Sequence, residues 1–317
     1  MKKLLSYLFV CLFTQMISAN DFHFMGIFSE QQSSPHLQND SLKEKNYLLS
    51  PWPWEGNNTF FRLNDGLTDF IVPSFDSSDS CTRLYEERIA LLWDGNLLLS
   101  LSLTEKDLIQ WENLKERKEW LEKTQERLME NHYKGILWEL TLGKDSSVNE
   151  NLTDLILDLR SELTKDLLYY YSLNYKEEAL PELIEESDYI IMKAYDYSGR
   201  HSTMENVNET VENFLVRKKI PPEKLILSLP LYGRNYKSNT PQYWVDKLPY
   251  YSIVETYLPL ANENEKENYY FNGTDMARRK AEYAREKGLA GVALFPLEWD
   301  GPGQYSLKEA ITDYLSE

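Results

Sequence analysis

The segment YKGILWELTLGK, residues 133–144, holds one carboxylate, Glu139, between Trp138 and Leu140. A carboxylate in that setting is either a proton donor or the remnant of a site that has lost its chemistry. Asp196, Arg234 and Glu298 also stand at or just beyond the ends of apolar runs. The histidines, His23, His36, His132 and His201, show no metal-ligand spacing, so no metal site is expected. Cys81 stands alone once Cys11 is set aside with the N-terminal leader, and nothing beside it argues for an activated thiol. No Gly-rich phosphate loop follows any strand, and no cofactor is expected.

The elements that must position these groups alternate along the chain. Residues 23–28 (HFMGIF), 67–75 (LTDFIVPSF), 96–103 (NLLLSLSL), 135–142, 167–173 (LLYYYSL), 189–197 (YIIMKAYDY), 225–232 (LILSLPLY) and 289–295 (LAGVALF) read as strands. Residues 105–130 carry Leu108, Trp111, Leu114, Trp120, Leu121 and Leu128 at near-helical spacing. Residues 152–163, 207–219, 274–287 and 306–316 read as helices, the third of these capped by Thr274 or Asp275. Eight strands alternating with helices indicate a (β/α)8 TIM barrel; a doubly wound sheet is the alternative. In a barrel the functional groups gather at the C-terminal strand ends, where Glu139, Asp196, Arg234 and Glu298 fall.

The chain has 317 residues and a formal net charge of −17. Such acidity disfavours nucleic acid and anionic membranes as partners. Residues 1–19 (MKKLLSYLFVCLFTQMISA) have two lysines, a short apolar run and small residues at the end. They read as a secretory signal peptide cut after Ala19, leaving residues 20–317 as one domain of a secreted, extracellular protein with no membrane insertion. Five sequons fit a secreted product, at Asn39, Asn57, Asn151, Asn208 and Asn272.

Three segments together resemble the family-18 glycoside hydrolases, the chitinase family. SDYIIMKAYDYSG looks like that family's sixth strand, which ends in Met-x-Tyr-Asp. EKLILSLPLYGRNY is similar to its seventh, with Pro-x-Tyr-Gly-Arg, and RRKAEYAREKGLAGVALFPLEWD resembles its last helix and eighth strand. NLLLSLSL keeps Ser100 of the third-strand Ser-x-Gly-Gly motif, while Ser102 and Leu103 replace the glycines. The short 237–273 segment implies that the extra α+β insertion of many chitinases is absent or much reduced.

The resemblance implies chemistry on the fourth strand, where the family carries Asp-Gly-x-Asp-x-Asp-x-Glu. Its last Glu protonates the glycosidic oxygen, and the neighbouring Asp steadies the substrate's acetamido nucleophile. Laid without gaps, the motif falls on Lys134, Leu137, Glu139 and Thr141. Thr141 at the acid position has a hydroxyl that cannot act as an acid near neutral pH. Glu139 lies one inward step deeper, about 7 Å below it. A two-residue deletion would instead align Glu139 with the acid, leaving Leu137 in place of its partner Asp. Lys193 replaces a family Met, and an ion pair between Lys193 and Glu139 inside the barrel is expected. Phe295 stands where the family has a Trp that floors the sugar site.

Tyr195, Asp196, Tyr232 and Arg234, with Glu139, Lys193 and Phe295, therefore make the expected ligand-binding set. They are either a residual glycan groove or barrel scaffold. Trp52, Trp54, Trp244 and Trp299 are loop residues suited to stacking on sugar, anchoring a protein or covering the mouth. The expected function is a secreted, non-catalytic chitinase-like protein that binds chitin or an N-acetylglucosamine-containing glycan, or a protein receptor. A weak glycosidase using Glu139, and a structural or decoy protein without a sugar site, are the alternatives.

Overall fold

The computed structural model describes residues 23–27, 47–49, 60–62, 67, 69–72, 95–103, 113–140, 146–163, 166–178, 180–237 and 246–316. In chain order its strands are β1 (His23–Ile27), β2 (Tyr47–Leu49), β3 (Phe60–Arg62), β4 (Asp69–Val72), β5 (Asn96–Leu103), β6 (Gly135–Leu140) and β7 (Leu168–Asn174). They continue with β8 (Tyr189–Lys193), β9 (Leu225–Pro230), β10 (Tyr232–Asn235), β11 (Lys247–Pro249), β12 (Glu265–Lys266), β13 (Tyr269–Tyr270) and β14 (Gly291–Phe295). The α-helices are α1 (Leu114–Glu130), α2 (Ser146–Glu162), α3 (Pro181–Glu186), α4 (Met204–Glu212), α5 (Tyr250–Tyr257), α6 (Thr274–Glu286) and α7 (Leu307–Ser316).

Eight parallel strands close the expected barrel in the order β1-β14-β9-β8-β7-β6-β5-β4, sealed by β1 against β4. The β5 sequence, NLLLSLSL, shows how it is built. Alternate side chains face opposite sides of a strand. Leu98 points into the barrel with Met25, Ile71, Leu137, Tyr170, Ile191, Ile226 and Ala293. Leu97, Leu99, Leu101 and Leu103 point outward into the shell beneath the helices. Ser100 and Ser102 share the parity of Leu98; Ser100 is buried and Ser102 opens to solvent at the mouth. At the other end Asp69 is buried and accepts from Asn96 Nδ2 (2.9 Å) and Tyr170 Oη (3.4 Å).

Gly135, which opens β6, has no room for a side chain. A Cβ there would lie 2.4 Å from Leu168 O and 2.8 Å from Leu98 Cδ2. Gly135→Ala is therefore expected to destabilise the fold by about 1–3 kcal/mol through overpacking. Urea unfolding with a midpoint equal to the parent's would refute this.

Several elements differ from the sequence expectation. The β8 ladder stops at Lys193 rather than 197, because Asp196 sits at φ +61°, a left-handed conformation no strand continues through. The run expected over 225–232 breaks at Leu231, and β10 leaves the barrel for a separate sheet. Gly273, not Thr274 or Asp275, is the N-cap of α6. The chain there passes 2.5–2.6 Å from the carbonyl oxygens of Glu263 and Ala261, counted from where a Cβ would stand, so only glycine fits. The helix expected over 207–219 begins at Met204, under a capping box of Thr203 and Asn206, and changes to a π-helical turn over Asn213–Arg217. Of the expected 105–130 helix, the described part begins at Leu114, capped by Asn113. The insertion is present in reduced form: an antiparallel sheet, β11-β10-β13-β12, with α5 beside it.

Residues 1–19, expected to be a leader, and Cys81, His36, Trp52, Trp54, Trp111, Trp244, Asn39, Asn57 and Thr141 lie outside the described residues. Among the described residues no helix is long and apolar enough to cross a membrane.

Candidate functional site

The barrel mouth brings Glu139 and Lys193 together. Both share the inward parity of their strands, Glu139 with buried Leu137 on β6 and Lys193 with buried Ile191 on β8. Lys193 Nζ donates to Glu139 Oε1 at 3.2 Å. The expected contact is formed, but at the mouth: the side chains keep 30% and 26% of their exposure, so the pair is only half-buried. The inward positions of β6 are thus Gly135, Leu137 and Glu139, one carboxylate in all.

Beyond β8 the chain supplies Tyr195 and Asp196. The Tyr195 ring lies parallel to Phe295, with centroids 6.3 Å apart, and meets Tyr232 edge-on at 6.1 Å. Tyr195 and Tyr232 are buried; Phe295 is half-buried at the rim of the barrel interior. Tyr232 stacks on His201 at 5.3 Å and meets Trp299 edge-on at 6.0 Å. Trp299 and Glu298 are buried, so this tryptophan covers the barrel rather than standing free in a loop.

Asp196 is the electrostatic hub. It accepts from Tyr232 Oη (2.9 Å) and Lys247 Nζ (2.8 Å), and Arg234 Nη1 lies 3.9 Å away. Arg234 also donates to Tyr197 O at 3.3 Å. Burial pushes the Asp196 carboxyl upward, but the Lys247 ammonium and the Tyr232 hydroxyl outweigh it and hold the group below the usual aspartate range. Burial pulls the Lys247 pKa down, against the pull of Asp196. Lys247 also lies over the Tyr232 ring, 4.3 Å from its centroid.

His201 is fully buried beneath this hub. Desolvation pushes its pKa down to about 3, with Lys280, Lys247 and Arg234 adding to the shift and Asp196 opposing it. Its Nε2 lies 3.2 Å from Tyr270 O, which can only accept, so Nε2 carries the proton of a neutral ring. Deeper still, Lys280 Nζ donates to Ser202 O (2.5 Å), Ser202 Oγ (2.8 Å) and Asn272 Oδ1 (2.7 Å). Asn272 Nδ2 in turn donates to Pro230 O. The sequon asparagine at 272 is therefore sealed in the core, 1% exposed, and closed to a glycan in the folded chain. Asn151 and Asn208 are exposed.

The structure brings Tyr195, Asp196, Tyr232, Arg234 and Phe295 into one cluster. It adds Lys247, His201 and Trp299. Lys247 had no signal: it belongs to the reduced insertion and reaches Asp196 only because β11 pairs with β10 in the register Arg234↔Lys247. Chemically the mouth offers the half-buried Phe295 ring, a neutralised carboxylate hub and one carboxylate already engaged by an ammonium. Among the described residues no group of His, Cys, Asp and Glu has the geometry to hold a metal ion.

Residues 105–300 match the model of Glycosyl hydrolases family 18. The fold is similar to a chitinase from Bacteroides thetaiotaomicron, with a TM-score of 0.68 at 17% identity over 78% of this chain and 88% of that one. It is similar to the GH18 chitinase ChiB of Flavobacterium johnsoniae, with a TM-score of 0.63 at 22% identity over 79% and 87%. A plant class V chitinase mutant from Cycas revoluta, solved in complex with (GlcNAc)3, gives 0.61 at 15% identity over 78% and 92%.

Proposed function

The chain belongs to glycosyl hydrolase family 18, and from that premise we propose that it is a secreted chitinase-like protein that binds chitin or chito-oligosaccharide-type glycans without hydrolysing them. The observation that carries this reading is the Lys193–Glu139 ion pair. The one inward carboxylate of β6 is occupied by an ammonium where the reaction needs a carboxylic acid aimed at a glycosidic oxygen. Leu137 fills the position before it and cannot steady an acetamido group. The half-buried Phe295 ring, backed by the buried Tyr195, supports retention of a sugar-facing surface, since an aromatic face needs no acid to hold a pyranose ring. The solved (GlcNAc)3 complex of the Cycas revoluta chitinase mutant, on the same fold, fits that ligand class. Secretion rests on the leader at residues 1–19.

A second reading has one observation in its favour. Glu139 keeps 26% of its exposure at the mouth, so a weak hydrolase using it as the acid remains open. Incubation with a fluorogenic chito-oligosaccharide separates the two. We expect no turnover above that of a Glu139→Gln variant; turnover that disappears in Glu139→Gln would overturn the non-catalytic reading. Binding is tested separately on chitin beads. Phe295→Ala, which removes a half-buried ring without touching the Asp196 hub, is expected to weaken retention at least tenfold, about 1.4 kcal/mol for a lost ring contact. Retention of neither protein would leave a protein receptor as the partner.

A further inference from the structure

The mouth is not the only place where this chain presents surface suited to a sugar. Helix α4 does not finish as an α-helix but widens into the π-turn Asn213–Arg217. Such turns are rare overall and frequent at functional sites. Here the turn lets Asn213 Nδ2 donate to Tyr175 O at 3.2 Å, and it forms one wall of a pocket of about 350 Å³. That volume lies within the span of small-ligand pockets, about 300–1,000 Å³. Tyr175 and Tyr197, which follow β7 and β8, form the other wall, their rings parallel and 3.6 Å apart at the centroids. Val216 stands in the lining and is 64% exposed, an apolar group left in water beside polar ones.

Asn208, the first residue of a sequon, lines the same pocket. Its Oδ1 accepts from Tyr283 Oη at 2.7 Å, which ties the carbonyl end of the amide to α6 and turns the nitrogen away from it. Thr210, the third sequon residue, is buried, its hydroxyl donating to Asn206 O and bonded with Tyr197 Oη at 2.7 Å. In the folded chain that hydroxyl is engaged, so modification must precede folding of α4.

We propose that this pocket seats one N-acetylhexosamine unit, the first sugar of a glycan carried on Asn208. Val216 and the edges of the tyrosine pair take the apolar C–H face of the ring, while the Asn213 amide, Glu209 and Arg217 face its hydroxyl and acetamido groups. In the transfer, Asn208 Nδ2 bonds to C1 of the first sugar of a lipid-pyrophosphate-linked oligosaccharide. The lipid pyrophosphate leaves, and Nδ2 sheds one proton. The inference rests on the secretion part of the proposed function but not on the barrel mouth.

The test uses the full chain, leader included, made in a eukaryotic secretory host. Glycopeptide mass spectrometry is expected to find Asn208 occupied in the secreted protein. Amide hydrogen exchange over residues 204–217 is expected to be about tenfold slower than in Asn208→Gln, and trimming to a single-sugar stub is expected to keep that protection. An unmodified Asn208 in secreted protein, or exchange equal to that of Asn208→Gln, would overturn the proposal. A second arm uses unglycosylated protein from bacteria with added N-acetylglucosamine. Saturable protection of the same segment, lost in Val216→Asp while that variant keeps the parent's urea midpoint, supports the pocket as a sugar seat. If the chain is not secreted at all, the secretion reading fails by itself, and no protection by free sugar then overturns the pocket as well.

Discussion

Raising the pH from about 7 towards 10 is expected to stabilise this protein, and Lys280→Met is expected to remove most of that rise. Lys280 is completely buried, and the three groups it donates to, Ser202 O, Ser202 Oγ and Asn272 Oδ1, are all neutral. Three donors meet three acceptors, so the geometry suits an ammonium. Burial works against it and pulls the pKa from 10.5 down to about 7. Between those values the unfolded chain binds a proton that the folded chain does not, so the free energy of unfolding climbs with pH. At about 1.4 kcal/mol per pH unit the full span is on the order of 5 kcal/mol. Tyr170, Tyr171 and Tyr250, all raised by burial, act in the opposite sense above pH 10, so the rise is read below that. The Met side chain fills similar space but cannot donate, so the variant loses stability overall while its pH slope flattens. Urea unfolding of both proteins between pH 7 and 9.5 decides it. Parallel slopes would sink the assignment to Lys280.

The second large effect belongs to Lys247. Its side chain is 3% exposed, and its ammonium lies 2.8 Å from Asp196 Oδ2. Lys247→Met leaves a carboxylate held by Tyr232 and by Arg234 at 3.9 Å. Removing one partner of a buried pair costs about 3–5 kcal/mol; Asp196 keeps 18% exposure, which favours the lower end, about 3 kcal/mol. In the parent, Asp196 stays ionised below the usual aspartate range, so its contribution is present above the unfolded pKa and lost only as pH falls through the lower folded value. In the variant that pKa rises, and the deficit is expected to be largest at neutral pH and to shrink as the pH falls below about 4. Combining Lys247→Met with Asp196→Asn should recover part of the loss at pH 7. A double variant as unstable as the sum of its parts would argue that the two groups do not act as a pair.

These two lysines mark where sequence reading ends. Lys280 sits in α6 among Arg278, Arg279, Glu282 and Arg285, and as sequence it is one more charge on an amphipathic helix. Its role appears only because its turn of the helix faces Ser202 and Asn272, 78 and 8 residues away. Asn272 carries the same lesson in reverse: the sequon is legible, but whether its amide meets solvent depends on packing against Pro230 and Lys280. Lys193 and Glu139 were legible as a pair, because strand parity fixes which side chains face inward. How deep the pair lies was not, since depth in a barrel depends on strand stagger rather than parity.

The sequence by itself pointed to the barrel and its strand count, because eight short apolar runs alternate with helical patterns, and strand geometry then fixes which side chains share a face. It also determined that β6 carries a single inward carboxylate. Only the tertiary structure decided that the β8 ladder ends at Lys193, that β10 departs into its own sheet, and that Lys247 neutralises Asp196. Lys247 reaches Tyr232 and Asp196 across 15 and 51 positions, and no local pattern encodes the energy of such contacts.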